Sequence, residues 1–204
     1  MNVFRIRNNI GLSNRWLFYN MTKKIGFIVG SLREGSYNKK VAQTFENLFP
    51  ETVEVGYLEI GQLPFYNEDL DTEGNVPQTW TDFRNEAASY DGFVFFTPEY
   101  NRSVPAVLKN AIDVGSRPYG ASIWDGKPAL VVSTSIGAIA GFGANHHLRQ
   151  SLAFLNMPTL QQPEAYIGNV SNLLEETGEF PEGTVGFFQT ITDAYVAFFN
   201  KLTN

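Results

Sequence analysis

The sequence predicts one α/β domain built on a doubly wound, five-stranded parallel sheet with helices on both faces. From residue 23 onward, short apolar runs typical of strands alternate with segments whose apolar residues recur at helical spacing, which is the pattern of repeated βα units. The runs at 93–97 and 129–133 are apolar on both faces, as expected of central parallel strands covered on each side. The length of 204 residues suits a single domain of this class.

Five βα units account for the order of the predicted elements. The strands are expected at residues 25–29, 53–60, 93–97, 129–133 and 166–167. The helices are expected at residues 38–48, 80–88, 106–114, 145–155 and 185–202. Pro77 can open the second helix at its first turn, and a glycine-rich turn precedes the fourth. Polar, turn-rich loops are expected at 68–77 and 175–183.

Apolar and aromatic residues dominate the closing helix. Those that recur at helical spacing are Val185, Phe188, Ile191, Tyr195, Phe198, Phe199 and Leu202. Such a stripe either packs into the core or lines a cofactor. Core packing is the interpretation that we favour, because an apolar stripe on one helix face is the usual signature of a helix packed on a domain core.

Composition narrows the range of possible functions. With 43% hydrophobic and 18% charged residues, the chain can bury enough apolar surface to offset its conformational entropy. The net charge of −6 offers no basic field for a phosphate backbone, so the expected partner is a small molecule and not a nucleic acid. The chain has no cysteine, which excludes disulfides and thiolate chemistry, so any redox activity requires a bound cofactor.

Neither a metal site nor a membrane span is expected. The two histidines, His146 and His147, are adjacent in the sequence. Neighbours on a helix point about 100° apart, which is poor geometry for holding one ion. No stretch approaches the roughly 20 apolar residues that cross a bilayer, which favours a cytoplasmic protein.

Residues 1–21 differ from the rest of the chain. They carry Arg5, Arg7 and Arg15 without any acidic residue, and Met21 stands directly before the first predicted strand. A transit-like or membrane-surface segment is one interpretation. We favour a dispensable extension, with the true start at Met21 and a single domain over residues 22–204.

The first loop that leaves a predicted strand, residues 30–38, has the chemistry of a phosphate site. Ligands of open parallel sheets bind at the carboxyl ends of the strands, and this loop enters a helix whose N-terminus favours an anion. Ser31, Ser36 and Asn38 offer neutral donors. Arg33 adds a charged fork suited to phosphate. The lysine of a Walker motif is missing, so phosphate binding is expected rather than phosphate transfer. An ordinary βα turn with a serine cap is the alternative.

Two further loops leave predicted strands at the same edge. Residues 97–101 present Tyr100 beside exposed backbone groups, which suits a flat heterocycle with hydrogen-bonding edges. Residues 133–143 are rich in glycine, which lets the backbone approach a ligand closely. Each segment alone is also consistent with a plain turn or a flexible loop. Together, three strand ends at one edge favour a ligand that has a phosphate and a planar ring.

Five sequence motifs resemble those of one enzyme family. They are GSLREGSYN at 30–38, LPFYNEDL at 63–70, TPEYN at 97–101, LKNAID at 108–113 and HLRQ at 147–150. In this order they resemble the NAD(P)H-dependent FMN reductases, which include quinone, azo and chromate reductases, over residues 23–168. The resemblance implies a flavodoxin-like fold, FMN as cofactor and NADPH or NADH as electron donor.

The resemblance also assigns roles to individual residues. Those expected at the FMN phosphate are Ser31, Arg33, Ser36 and Asn38, with Tyr37 counted among the cofactor-binding residues. Those expected along the isoalloxazine ring and ribityl chain are Pro98, Glu99, Tyr100 and Asn101, while Ser135 and Gly137 are expected to close the other side of the ring. No side chain is expected to act as nucleophile or general acid, because the flavin carries the chemistry.

The implied activity is transfer of electrons from NADPH or NADH to a small acceptor by a ping-pong cycle. The acceptor classes are quinones, free flavins, azo compounds and metal oxyanions. A flavodoxin-type electron carrier without enzymatic activity is the alternative, because it shares the fold and the cofactor. A regulatory module that uses the flavin as a redox sensor is a third interpretation.

The resemblance implies a homodimer, or alternatively a homotetramer, with the flavin near the subunit interface. Residues 63–70 are then expected to serve assembly as well as catalysis. Some relatives carry an arginine and a tyrosine before His147, where this chain has Gly143 and His146. Contacts that those relatives make between subunits are therefore not expected here, which argues against the tetramer.

Overall fold

The computed structural model describes residues 22–203, and the predictions about segment 1–21 lie outside these residues. The strands are β1 (Lys23–Val29), β2 (Val53–Tyr57), β3 (Gly92–Thr97), β4 (Ala129–Thr134) and β5 (Ala165–Ile167). The helices are α1 (Tyr37–Glu46), α2 (Gln78–Ala88), α3 (Ala106–Gly115), α4 (Phe142–Phe154), α5 (Val170–Leu173) and α6 (Glu182–Thr203). Among the described residues, none of these helices is long and apolar enough to cross a membrane.

The strands pair in parallel, in the order β2-β1-β3-β4-β5. The chain moves outward from β1 to β2, returns past β1 to β3 and continues to β5, so the direction of winding reverses between β1 and β3. This is the strand order of the flavodoxin-like doubly wound fold, whose ligand site lies at that reversal. The predicted fold class is confirmed.

Two apolar layers flank the sheet. Helices α2, α3 and α4 contribute to one layer, which includes Trp80, Leu108 and Leu148. Helices α1 and α6 contribute to the other, which includes Phe45 and Tyr195. Every residue of β3 and β4 is buried, because both faces of these central strands are covered.

The closing helix α6 is a core helix, as predicted. Its buried residues are Phe188, Ile191, Thr192, Tyr195 and Phe199. The Tyr195 hydroxyl lies 2.9 Å from the carbonyl oxygen of Phe93 and 3.0 Å from that of Pro128, so this buried polar group is paired. Leu202 departs from the prediction, because it lies exposed in the last turn.

Several element bounds differ from the predicted ones. Strand β2 ends at Tyr57 instead of residue 60, and the next residue, Leu58, makes the last contact with β1 through its amide and the Phe27 carbonyl oxygen. Helix α4 begins at Phe142 instead of residue 145. The short helix α5 and a 3-10 turn at Glu68–Leu70 were not predicted, because four or fewer residues carry too little periodicity.

Buried polar contacts fasten the segment between β2 and α2. Asn110 of α3 accepts a hydrogen bond from the Tyr66 amide at 2.8 Å and donates one to the Pro64 carbonyl oxygen at 3.0 Å. Asp71 forms a two-point ion pair with Arg84, with both N–O distances at 2.9 Å. Only 6% of the Asp71 side chain and 13% of the Arg84 side chain are exposed. The hydrogen bonds from Arg84 hold the pKa of the Asp71 carboxyl below its usual value.

Replacing Asp71 by asparagine is expected to lower the free energy of unfolding by about 3 kcal/mol at neutral pH, because the Arg84 charge is left without its partner. A carboxyl whose pKa falls on folding stabilises the protein above its unfolded pKa of about 3.9, and this contribution is lost as the pH falls through the folded pKa. The wild type should therefore lose stability below about pH 4 more steeply than the variant, as measured by urea unfolding at several pH values.

The matched control is Asp113→Asn, because Asp113 pairs with Lys109 four residues earlier on the solvent-exposed surface. This variant should change the free energy of unfolding by less than about 1 kcal/mol. Equal losses in the two variants would show that the buried pair is no more important than the surface pair.

Candidate functional site

Three loops meet at the carboxyl edge of the sheet, beside the reversal in strand order. They follow β1, β3 and β4, which are neighbours in the sheet, so the loops lie side by side. They surround an open cavity of about 170 Å³, which we call the switch-point cavity. Its walls are formed by Ser31, Arg33, Ser36, Tyr37, Asn38, Pro98, Glu99, Tyr100, Thr134, Ser135, Ile136 and Val170.

Nine of the eleven residues predicted to bind the cofactor line the switch-point cavity, namely all except Asn101 and Gly137. Thr134, Ile136 and Val170 also line it and were not predicted. The alternation of side chains along β4 is the signal that could have indicated Thr134. No comparable signal exists for Val170, because it opens a four-residue helix.

The first loop places Ser36 at the N-terminus of α1. Ser36 has an extended backbone, with φ −69° and ψ 122°, and its Oγ accepts a hydrogen bond from the Lys39 amide at 3.2 Å. The first turn of the helix carries no acidic side chain to offset the positive end of the helix dipole. Ser36 and Asn38 are both buried at this end. The helix end therefore favours binding of an anion.

Arg33 holds a positive charge at the cavity. Its guanidinium donates a hydrogen bond to the Gly35 carbonyl oxygen at 2.6 Å and lies over the Tyr37 ring, 5.4 Å from the ring centre. Arg33 forms no ion pair with any residue between 22 and 203. Its charge is therefore available to an anionic ligand.

Two buried polar atoms at the cavity have no hydrogen-bond partner within residues 22–203. They are Asn38 Oδ1 and Thr134 Oγ1. Asn38 is 4% exposed and Thr134 is 2% exposed. Because buried polar atoms are nearly always paired in folded proteins, these two atoms indicate a polar ligand that reaches both the first turn of α1 and the end of β4.

The second loop is a tight hairpin that presents Tyr100. Backbone hydrogen bonds of 3.0 Å join Tyr100 and Ser103 in both directions. Asn101 and Arg102 occupy the tip with φ of 49° and 68°, the left-handed conformation that suits a two-residue hairpin turn. Asn101 does not line the cavity, so its contact with the flavin stays a prediction.

Glu99 ties this hairpin to α4. Its Oε2 accepts a hydrogen bond from the Ala144 amide at 3.1 Å, and its Oε1 pairs with the Arg102 guanidinium at 3.0 Å. A carboxylate at a helix N-terminus satisfies a free amide and is stabilised by the helix dipole. This cap comes from a residue 45 positions earlier, which explains why the sequence did not predict the start of α4.

Gly143 permits the close packing of the hairpin on α4. A Cβ atom at this position would lie 2.7 Å from the Arg102 carbonyl oxygen and 3.0 Å from Glu99 Oε2. One turn further along α4, His147 Nδ1 lies 3.1 Å from Ser103 Oγ. The hairpin that carries Tyr100 is therefore fixed to the first two turns of α4.

The third loop rests on the start of α5. The Ser135 amide donates to the Ile167 carbonyl oxygen at 3.0 Å, and the Val170 amide donates to the Ser135 carbonyl oxygen at 3.1 Å. Ser135 Oγ accepts a hydrogen bond from the Gly137 amide at 3.1 Å. Gly137 does not line the cavity, and its contact with the flavin stays a prediction.

Two much larger cavities lie away from this edge. One of about 420 Å³ lies between α3 and α4, and one of about 450 Å³ lies between α1 and the segment 178–185. Among the described residues, the linings of these two cavities contain no buried polar side-chain atom that lacks a hydrogen-bond partner. The unpaired atoms therefore favour the smaller switch-point cavity as the ligand site.

Comparison with known families decides the class of this protein. A family model described as NADPH-dependent FMN reductase matches residues 23–172. The chain belongs to this family. The assignment confirms the predicted reductase class and the predicted cofactors, FMN with NADPH or NADH as electron donor.

Known reductases are similar to this FMN reductase over most of its length. A quinone reductase of Pseudomonas putida is 53% identical over 173 residues, which cover 85% of this chain and 92% of the relative. A 2-hydroxy-1,4-benzoquinone reductase of a Burkholderia species is 41% identical over 178 residues, which cover 87% of this chain and 96% of the relative.

Solved structures show the same fold. FerB, a flavoenzyme NAD(P)H:(acceptor) oxidoreductase from Paracoccus denitrificans, superposes with a TM-score of 0.82 at 36% identity and covers 89% of this chain and 100% of its own. A flavodoxin from Pseudomonas aeruginosa superposes with a TM-score of 0.55 at 15% identity, covering 85% of this chain and 99% of its own. The flavodoxin match supports the fold alone.

The chemistry of the switch-point cavity fits FMN. A phosphate needs donors and positive charge, which the α1 N-terminus, Ser36 and Arg33 provide. Ligand pockets usually measure about 300–1,000 Å³, so a cavity of about 170 Å³ suits the phosphate and ribityl chain better than the whole nucleotide. The planar ring would then lie at the open mouth of the cavity, where Tyr100 and Ile136 are exposed.

Gly143→Ala is expected to lower the free energy of unfolding by about 1–3 kcal/mol, because the new methyl group meets the Arg102 backbone and the Glu99 carboxylate. This loss opposes the gain in helix propensity that alanine normally brings. Displacement of the hairpin should also weaken FMN binding. Urea unfolding of the apoprotein and a fluorescence titration with FMN measure the two effects.

Gly186→Ala in α6 is the matched control, since nothing lies within 4 Å of the added Cβ atom. This variant should gain about 0.5–1 kcal/mol in unfolding free energy and bind FMN normally. If Gly143→Ala also raised the free energy of unfolding, this result would contradict the close packing of the hairpin on α4.

Proposed function

We propose that this FMN reductase transfers electrons from NADPH or NADH to a small acceptor, with a quinone as the first candidate. The observation that carries the proposal is the switch-point cavity, where three loops leave Asn38 Oδ1 and Thr134 Oγ1 buried without partners. The names of the two similar reductases support a quinone. Free flavins, azo compounds and metal oxyanions are the other acceptor classes.

The chain's own residues bind and orient the cofactor. Ser31, Ser36 and Asn38 surround the α1 N-terminus and would hold the FMN phosphate with the charge of Arg33. Pro98, Glu99, Tyr100 and Ser135 line the cavity and would face the ring and ribityl chain. Asn101 and Gly137 belong to the same two loops and are proposed as further flavin contacts. When bound, FMN supplies the redox chemistry by accepting a hydride and passing the electrons on.

No side chain of the cavity is arranged as an acid or base for the reaction. The Glu99 carboxylate lines the cavity, but both of its oxygens are engaged by α4 and by Arg102. We therefore assign to Glu99 the positioning of the hairpin, and to the loops the orientation of the reactants.

The mechanism that we propose is a ping-pong cycle, and the open shape of the site supports it. The cavity is open and is lined by Tyr100 and Ile136, whose exposed side chains form an apolar rim. This apolar rim suits a nicotinamide ring or a quinone, and the two would occupy the same space in turn. Initial-rate plots against both substrates should therefore give parallel lines.

The alternatives are an electron carrier of the flavodoxin type and a flavin-based redox sensor. Similarity to a solved flavodoxin is the observation in their favour, and it concerns the fold alone. Arg33 in the phosphate loop and the apolar rim favour a reductase that receives small molecules.

The assembly that we propose is a homodimer, with a homotetramer as the alternative. Three large side chains on the surface, Phe65, Tyr119 and Phe154, support an interface because they are among the most exposed apolar groups of residues 22–203. The proposed compartment is the cytoplasm.

Anaerobic titration with NADPH tests the proposed activity. The purified protein, supplied with FMN, should lose its flavin absorbance rapidly without another protein and regain it when a benzoquinone is added. A flavin that binds but stays oxidised would favour the carrier or the sensor. A protein that binds no FMN would contradict the function proposed for the three loops.

A further inference from the structure

The hydroxyl of Thr134 is buried in the switch-point cavity and has no partner in the described part of the chain. Thr134 is the last residue of β4, is 2% exposed and lines the cavity. Its Oγ1 has neither a donor nor an acceptor within hydrogen-bond distance among the described residues. An unpaired buried hydroxyl costs free energy, so a ligand that pairs with it recovers that cost on binding.

The alternation of side chains along β4 turns Thr134 toward α1. Val132 belongs to the apolar layer that contains α1. The next residue, Ser133, points to the opposite face, where its Oγ lies 3.3 Å from Asn145 Nδ2 of α4. Because successive strand residues alternate, Thr134 faces the α1 side, where Asn38 also lacks a partner for its Oδ1.

We propose that Thr134 is a further FMN-binding residue, whose hydroxyl donates a hydrogen bond to an oxygen of the phosphoribityl chain across the cavity from the α1 N-terminus. The inference rests on the proposed function, because it assumes FMN in this cavity. The hydroxyl is uncharged and can rotate, so it matches either a phosphate oxygen or a ribityl hydroxyl, and both lie on the same chain of the ligand.

This role predicts opposite effects on the empty and the loaded protein. Thr134→Val keeps the shape of the side chain and removes a hydroxyl that has no partner in the apoprotein, so the melting temperature of the apoprotein should stay the same or rise. The same change removes a contact to FMN, so the rise in melting temperature on addition of FMN should shrink. If the threonine had a purely structural role, Thr134→Val would lower the melting temperature of the apoprotein and leave the rise on addition of FMN unchanged.

The experiment measures the dissociation constant of FMN by fluorescence quenching, with melting curves of apoprotein and complex. Thr134→Val should raise the dissociation constant by about 5- to 20-fold, and Thr134→Ser, which keeps the hydroxyl, should stay within about threefold of the wild type. Riboflavin serves as a second ligand. Equal weakening of both flavins places the hydroxyl on the ribityl chain, and weakening of FMN alone places it on the phosphate.

Two further variants separate the inference from the function on which it rests. Thr192→Val removes another buried threonine hydroxyl, which donates to the Phe188 carbonyl oxygen at 3.0 Å in α6, and should leave FMN affinity unchanged. Arg33→Ala should weaken FMN binding because it removes a charged phosphate contact.

The outcomes that would overturn the inference are distinct. If Arg33→Ala weakens binding but Thr134→Val leaves the dissociation constants of both flavins unchanged, the assignment of Thr134 fails and the proposed function stands. A destabilised apoprotein with normal FMN affinity gives Thr134 a structural role and also overturns it. If the wild type binds no FMN, the proposed function fails and this inference fails with it.

Discussion

The parallel arrangement of the sheet, covered on both faces, is the constraint on which the rest of the molecule depends. Parallel strands require a crossover after each strand, so every βα loop emerges at one edge and every helix returns along a face. Because β3 and β4 are buried on both sides, the polar groups that bind a ligand lie beyond the strand ends, in the loops of that edge. The reversal of strand order between β1 and β3 then opens the space between neighbouring loops.

Contacts between the loops, more than contacts within them, give the site its shape. Glu99 joins the second loop to the helix that follows the third, and Gly143 allows the two to approach closely. Ser135 joins the third loop to the start of α5. Among the described residues, Asn38 Oδ1 and Thr134 Oγ1 remain as buried side-chain atoms of the cavity without a partner, so the cavity is complementary to a ligand with hydrogen-bonding groups of its own.

Sequence patterns predicted the features that depend on neighbouring residues. The apolar run of β3 and the serine at the start of α1 are of this kind, since periodicity and capping are local. The predicted start of α4 was wrong because the carboxylate that accepts from its first turn belongs to Glu99, which lies on another loop. The TPEYN motif predicts that Asn101 contacts the flavin. Its left-handed backbone, however, is that of a residue in a hairpin turn. The alternation along β4 could have indicated Thr134, but the strand order was needed to show that its face of the strand meets α1.

A crystal structure of the protein soaked with FMN would show directly where the flavin binds. In the placement that we predict, the phosphate lies at the N-terminus of α1 beside Ser36, the ribityl chain passes Asn38 and Thr134, and the ring lies between Tyr100 and the third loop. Flavin bound instead in the larger cavity between α3 and α4, with the carboxyl edge of the sheet left open, would contradict it.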